Sequence, residues 1–149
     1  GFENSRVLST ALQIGARESR MIAGEYRLTQ EDLKACTKFP DGIAAGNYDI
    51  DIHNPEGSGT SHYFFAPGAY YTIPYRCLLP KGTTNLLVAG RCISSTHEAQ
   101  ASYRVMPIVC CIGEAAGVAA GVAHQARVSL RAVDIQRVRA LLQAGGAPI

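Results

Sequence analysis

The stretch LLVAGRCISSTHEAQASYRVMP, residues 86–107, changes character three times along its length. It opens as an apolar run, stops at Gly90 and Arg91, continues as a polar connection, and from Val105 enters a long run of small apolar residues. This order predicts a short strand buried on both faces, a tight turn and a helix. The arrangement is similar to half of a nucleotide-binding βαβ unit, although the chain contains no G-x-G-x-x-G and no P-loop.

The glycines of this region indicate close backbone approach. A strand that ends in Gly90 lets another group come near the main chain, because glycine has no Cβ. Gly113, Gly117 and Gly121 recur every fourth residue, and Ala116 widens the stripe. Such a helix face can pack against a strand or a flat ring, and ordinary helix-on-sheet packing is the alternative explanation.

The rest of the chain alternates short elements with loops. Apolar spacing favours a helix over 3–14, an extended segment over 19–28 and a helix starting at Thr29, where Asp32 completes a helix-start signal. Further predicted elements are a strand at YDIDIH, an extended segment over 70–79, a long helix over 105–125 and a final helix capped by Asp134 and ended by Gly145.

Length and composition limit the kinds of protein that this chain can be. The 149 residues suit a single domain, and a hydrophobic fraction of 47% supports a core. Fourteen basic and 12 acidic residues give a net charge of +2 without any basic run, which argues against a nucleic-acid surface. The odd count of 5 cysteines without regular spacing indicates free thiols in a reducing, cytoplasmic compartment.

The apolar segment 105–123 is long enough to raise the question of a membrane span. A helix of that length covers about 29 Å, close to the thickness of a bilayer core. Glu114, Pro107 and the many Gly and Ala residues argue against insertion. We therefore expect a buried helix and no membrane partner.

Several long strings resemble one family. NLLVAGRCISSTHEAQASYRVMPIVCCIGEAAGVAAGVA resembles the carboxyl-terminal part of FAD-dependent oxidoreductases with the two-dinucleotide-binding-domain architecture of glutathione reductase and fumarate reductase. GFENS, GARESRMIAGEYRLTQEDL, YDIDIH and IPYRCLLPKGTTNLLVAGR agree as well, so that the resemblance covers about residues 1–144. The amino-terminal G-x-G-x-x-G domain of that family, which grips the ADP half of FAD, has no counterpart in this sequence.

The resemblance implies cofactor-binding roles. Gly90 and Arg91 would lie beside the ribityl and pyrophosphate part of FAD, where related proteins often carry Gly-Asp. Val105 and Met106 would present backbone N–H groups to the pyrimidine edge of the flavin. The implied cofactor-binding set is completed by Ser94, Arg104, Gly113 and Ala116.

Catalytic candidates follow from position and chemistry. His97 lies in the connection between strand and helix and could transfer a proton, with a solvent-exposed or capping role as the alternative. His53 follows a predicted strand on the substrate-domain side. Arg20 and Arg76 are candidate partners for an anionic substrate, with structural ion pairs as the alternative. No metal site is expected, since His residues lack carboxylates at ligand spacing.

The sequence thus predicts an α+β chain: part of a β-rich substrate domain with a preceding helix over residues 1–84, and the last strand and helices of an α/β FAD-binding fold over 85–149. The intact protein would transfer hydride between a small-molecule substrate and FAD. This part alone would be inactive, bind FAD weakly or not at all, pair with the amino-terminal FAD-binding portion, and self-associate. A non-catalytic binding or interaction module stays open. A hydrolase is disfavoured because no G-x-S-x-G is present.

Overall fold

The structure, a computed structural model, describes residues 1, 3–13, 15–53 and 59–149. These residues form four α-helices, four strands and two 3₁₀ turns. In chain order they are α1 (Gln30–Lys34), β1 (Gly42–Gly46), β2 (Ile50–His53), β3 (Thr60–Tyr63), β4 (Tyr71–Pro74), a 3₁₀ turn (Tyr75–Leu78), α2 (His97–Tyr103), α3 (Met106–Ala126), a second 3₁₀ turn (Leu130–Ala132) and α4 (Ile135–Ala144).

The strands pair as two separate antiparallel ribbons. β1 pairs with β4, with Gly46 opposite Tyr71, and β2 pairs with β3, with Asp51 opposite His62. The β1–β4 ribbon is tightly packed at Gly46, where an added Cβ would lie 2.7 Å from the Tyr71 ring. Only glycine fits there without displacing a buried aromatic side chain, because real Cβ atoms do not approach so closely.

Helix α3 is the central element of the core. It packs against β1 and α4 and buries one face along its length. That face consists of Ile108, Ile112, Ala115, Ala119, Val122 and Ala123. The opposite face carries the glycine stripe, where Cβ atoms built at Gly113, Gly117 and Gly121 would meet no atom within 4 Å. The predicted close packing of this stripe is therefore not made by any described part of the chain.

Helix ends follow local sequence. Thr29 and Asp32 form a capping box at α1, and Asp134 accepts hydrogen bonds from Gln136 and Arg137 at α4. The prediction of α1, β2, α3 and α4 is confirmed by these elements. The extended segment predicted over 70–79 is confirmed only at Tyr71–Pro74, because Tyr75–Leu78 form a 3₁₀ turn. The mixed α+β composition is confirmed as well.

Three sequence predictions are wrong. Residues 3–13 form no helix, and Val7, Leu8 and Leu12 lie exposed, so that no described apolar surface stabilises a helix there. The segment 19–28 makes only isolated bridges at Gly24 and Leu28. Residues 86–89 form no strand, because no described strand lies beside them.

One helix passes a simple test for a membrane span. α3 is long and apolar enough to cross a bilayer by length and composition, and it is the one such helix among the described residues. Core helices of folded domains pass the same test. A single helix of this kind is weak evidence of a membrane span. α3 buries Ile108, Ile112 and Ala119 against the rest of the chain, and 33% of its apolar window is buried.

Candidate functional site

The turn after residue 89 brings several predicted site residues together. Gly90 has a φ of +98°, a left-handed conformation that side-chain-bearing residues rarely adopt, and it reverses the chain into Arg91. The Arg91 Nε donates to the backbone oxygen of Arg104 at 2.9 Å. Arg104 ends α2 and is followed by Val105, the residue before α3. The Gly90 turn thus lies against the junction of α2 and α3.

Tyr103 fixes this turn from the inside. Its side chain is fully buried, and its hydroxyl lies 2.8 Å from Ser95 Oγ and donates to the backbone oxygen of Arg91 at 3.2 Å. Burial raises the pKa of the Tyr103 phenol above its usual value, so the hydroxyl stays a neutral donor. The turn that carries Arg91 is therefore tied to α2 by a buried hydrogen-bond network.

A pocket of about 430 Å³ opens at this junction. This arginine pocket is lined by Arg17, Tyr48, Asp51, Arg91, Arg104, Val105, Met106 and Pro107. Its volume lies within the range of about 300–1,000 Å³ that is typical of small-molecule sites. Four of the predicted cofactor-binding residues line it: Arg91, Arg104, Val105 and Met106.

The arginine pocket has a positive character. Three guanidinium groups line it against one carboxylate, Asp51, whose Oδ2 lies 3.6 Å from Arg104 Nη2. The same guanidinium donates to the Asp51 backbone oxygen at 3.2 Å, which holds Arg104 in place. No side chain caps α3 at Val105, and Pro107 occupies its first turn. The partial positive charge of the helix start therefore adds to that of the arginines.

His97 lies elsewhere, in a second pocket. This histidine pocket has a volume of about 480 Å³ and is lined by Glu18, Ser19, Met21, Ile22, Ala23, Gly24, Arg27, Lys81, Ser94, Ser95 and His97. A small cleft lined by Ala16, Arg17, Glu18, Ser19, Arg20, Arg91 and Cys92 lies between the two pockets. Arg17 and Arg91 are shared with the arginine pocket, and Glu18 and Ser19 with the histidine pocket. The three cavities thus adjoin one another along the segment 16–24.

The remaining predicted residues fall in different places. Ser94 is buried and lines the histidine pocket, and Arg20 lines the small cleft. Gly113 and Ala116 both lie on α3, more than one turn beyond Pro107, the last residue that lines the arginine pocket. Gly113 is exposed and Ala116 is half-buried. His53 is the last residue of β2, and its side chain lies outside the described part of the structure.

Arg76 makes a structural ion pair. Its Nε and Nη2 donate to Asp41 Oδ2 and Oδ1 at 2.9 and 3.2 Å, and the guanidinium lies over the Tyr26 ring at 4.9 Å. The hydrogen bonds to Asp41 raise the pKa of Arg76. Arg76 lines neither the arginine pocket nor the histidine pocket but a further cavity of about 410 Å³, together with Asp41 and Arg131. The contact with Asp41 matches the ion-pair alternative, and substrate binding by Arg76 stays a prediction.

Sequence reasoning missed part of both pockets. The sequence did not indicate Tyr48, Asp51 and Pro107 as residues of the arginine pocket, nor Glu18, Arg27 and Lys81 as residues of the histidine pocket. The sequence does contain one indication of the role of Asp51. In the predicted strand YDIDIH, Asp51 lies on the face opposite to Ile50 and Ile52, and this predicts that its side chain points away from the core. Helix α2 was also missed, although Thr96 followed by Glu98 is a helix-start pattern, and Thr96 Oγ1 accepts from the Ala99 amide.

Metal chemistry finds no support within the described ranges. No three His, Cys, Asp or Glu side chains gather there in a way that could hold a metal ion. All five cysteines, each within those ranges, carry free thiols. Among the charged and titratable side chains that line the two pockets are arginines, a lysine, a histidine and carboxylates.

Comparison with known proteins identifies the family. Searches of curated proteins and of solved structures give no significant match. The sequence model of the family described as FAD dependent oxidoreductase matches residues 1–142, nearly the whole chain. That span includes both pockets and the turn at Gly90, and on this match the chain belongs to the FAD-dependent oxidoreductase family.

Proposed function

We propose that the arginine pocket holds the electron-accepting end of FAD in a flavoenzyme that oxidises or reduces a small molecule. The observation that carries this proposal is the meeting of three guanidinium groups with the uncapped start of α3 in one cavity. Bound FAD supplies a ring that takes up a hydride, two electrons and a proton together. The chain's own part is to bind that ring and to stabilise the negative charge it gains.

The donor set of the pocket fits this group. The pyrimidine edge of a flavin presents carbonyl oxygens and becomes anionic on reduction, and it is stabilised by N–H donors and positive charge. Arg91 is exposed at the mouth and is oriented by its bond to the Arg104 carbonyl, which leaves its terminal nitrogens available. Arg104 is held by Asp51 and contributes a fixed charge.

The open face of α3 supports the same assignment. The glycine stripe begins beyond the pocket, at Gly113, and nothing in the described residues covers it. In the proposal this face receives the remainder of the flavoprotein, including the portion that binds the ADP half of FAD. The histidine pocket, which adjoins the arginine pocket through the small cleft, then lies on the substrate side.

Arg91→Ala tests the proposal in the flavoprotein that contains this chain. Loss of a charge-assisted hydrogen bond should weaken FAD binding by roughly tenfold to a hundredfold. FAD affinity is measured by flavin fluorescence quenching on titration of the apoprotein. We also expect a lower flavin midpoint potential, because a cation near the anionic reduced ring is removed.

Arg137→Ala is the matched control, since Arg137 is exposed on α4 and lines neither of the two pockets. It should leave both the affinity and the potential unchanged. Circular dichroism checks that both variants are folded. Equal FAD affinity and equal potential for folded Arg91→Ala and wild type would contradict the proposal and favour a binding module without flavin chemistry.

A further inference from the structure

The histidine pocket contains a second group of reactive and charged side chains. His97 Nδ1 lies 2.5 Å from Glu18 Oε2, and the imidazole is half exposed. The Nε2 atom makes no hydrogen bond with any described residue. Because a carboxylate accepts a hydrogen bond from Nδ1–H, the neutral ring keeps its lone pair on Nε2. With that tautomer, the dyad can act as a proton acceptor in the pocket that His97 lines.

Two cations line the same pocket. Arg27 donates from Nε to the Ser95 backbone oxygen at 3.2 Å, which leaves its two terminal nitrogens for another acceptor. Lys81 is exposed on a neighbouring segment. Glu98 lies near both His97 and Arg27, and hydrogen bonds to its own backbone amide and to Thr96 lower its pKa. Its carboxylate is therefore engaged with the start of α2.

The walls of this pocket are held by backbone hydrogen bonds. Ile22 donates to the Cys92 oxygen at 3.0 Å, Leu28 to Ser94 at 3.1 Å, and Lys81 to Ala23 at 2.9 Å. At Gly24 the two segments touch so closely that an added Cβ would lie 2.7 Å from Ser94 Cβ. The pocket is therefore formed before a ligand arrives, which lowers the cost of binding.

We propose that the histidine pocket is the substrate site and that it takes a small anion carrying a hydroxyl group. Arg27 and Lys81 bind the carboxylate or phosphate, and His97 Nε2 accepts the hydroxyl proton, oriented by Glu18. The hydride transfer in this assignment rests on the proposed function, in which the arginine pocket holds the flavin. In the oxidation of an alcohol to a carbonyl, the hydrogen on carbon would leave with its bonding electron pair as hydride, which the flavin would accept, and the O–H proton would pass to His97 Nε2.

The test compares two dicarboxylates that differ in one hydroxyl. Protein labelled with ¹⁵N-histidine is titrated with L-malate and with succinate, and the ring nitrogens of His97 are followed by NMR. Both probes should bind, and malate should bind about threefold to tenfold more tightly, because it makes one additional hydrogen bond. Malate alone should shift the Nε2 resonance strongly.

Variants separate the two parts of the site. Lys81→Ala should weaken both probes, whereas Glu18→Gln should reduce the ratio of malate affinity to succinate affinity, because His97 loses the carboxylate that orients it. Arg137→Ala, on α4, serves as the control and should alter neither. Equal affinity for malate and succinate in wild type would overturn the proton-accepting role of His97, and unchanged binding in Lys81→Ala would overturn the anion site.

The titration uses no flavin signal, so its outcome is independent of FAD binding. If Arg91→Ala fails to affect FAD while malate binds at His97, the substrate site stands and the flavin assignment is wrong. If FAD behaves as proposed while neither dicarboxylate shifts His97, the flavin assignment stands and the substrate site is overturned.

Discussion

At the scale of single residues, the chain separates cations that work in its structure from those available to a ligand. Arg76 and Arg131 are paired, with Asp41 and Glu25 respectively, at 2.9 and 2.7 Å. Arg91 donates through Nε to a main-chain oxygen and points its remaining donors to a pocket. This difference cannot be read from sequence, because Asp41 and Arg76 are far apart in the chain and meet only through the β1–β4 ribbon.

Cys77 gives a prediction at this scale. The side chain is fully buried, and burial raises the pKa of its thiol from 9.0 to about 12. The thiol ionises in the unfolded chain at lower pH than in the fold, so the fold loses stability as pH rises from about 9 towards 12. Between pH 8 and pH 10.5 the loss from this one group is about 2 kcal/mol.

The measurement is urea unfolding of wild type and Cys77→Ala at both pH values. Cys77→Ala starts less stable, because a buried side chain is shortened, but lacks this titration. The gap in free energy of unfolding between the two proteins should therefore shrink by about 2 kcal/mol at the higher pH. A gap that stays constant would mean that the Cys77 thiol ionises freely in the folded state.

At the scale of elements, the sequence predicts helices correctly where their position is set by local features, namely capping residues and apolar runs. The caps at Thr29 and Asp134 and the apolar run of α3 gave helices in the expected places. It failed for residues 3–13 and 86–89, where an element needs a partner that the described residues do not provide. For the site, the family resemblance implied cofactor-binding roles for Arg91, Arg104, Val105 and Met106, and the structure brings these four residues into one pocket. The joining of Glu18 to His97 depends on a loop path that no periodicity encodes.

Helix α2 holds the Gly90 turn through Tyr103, and this contact can be tested directly. Tyr103→Phe removes a hydroxyl that bridges Ser95 and the Arg91 carbonyl. We expect the free energy of unfolding to fall by about 1–3 kcal/mol, since buried polar groups lose their partner. FAD affinity should fall as well, because the Arg91 carbonyl loses the hydrogen bond that ties its turn to α2.

A double-mutant cycle with Ser95→Ala isolates the Tyr103–Ser95 bond. The two substitutions should be less than additive by about 0.5–1.5 kcal/mol in urea unfolding. Additive effects would show that the two hydroxyls do not interact, and the bond from Tyr103 to the Arg91 carbonyl would then be the side-chain contact of Tyr103 that holds the turn.

At the scale of the whole molecule, the chain is well packed on one side and open on the other. The core of α3, β1 and α4 is closed, whereas the glycine stripe of α3 lies uncovered by any described residue. In the apolar segment 86–89, Leu87 and Ala89 pack against the core and Leu86 is exposed. In segment 86–89 Leu86 is 48% exposed, and Val88 donates its amide to the Leu78 oxygen without forming a ladder. Unpaired extended backbone with apolar side chains is a template for another chain.

We therefore expect the 149-residue chain on its own to self-associate through the segment 86–89. Leu86 and Leu141 are each 48% exposed, but Leu141 lies on the regular helix α4, whose backbone groups are already paired. Leu86→Ser should shift the chain towards monomer, and Leu141→Ser should have little effect, because apolar exposure alone is common on protein surfaces. Sedimentation velocity over a wide concentration range measures the distribution. A wild-type chain that stays monomeric at every concentration would contradict the prediction. Equal effects of the two substitutions would show that exposed apolar area drives association, rather than the open backbone of segment 86–89.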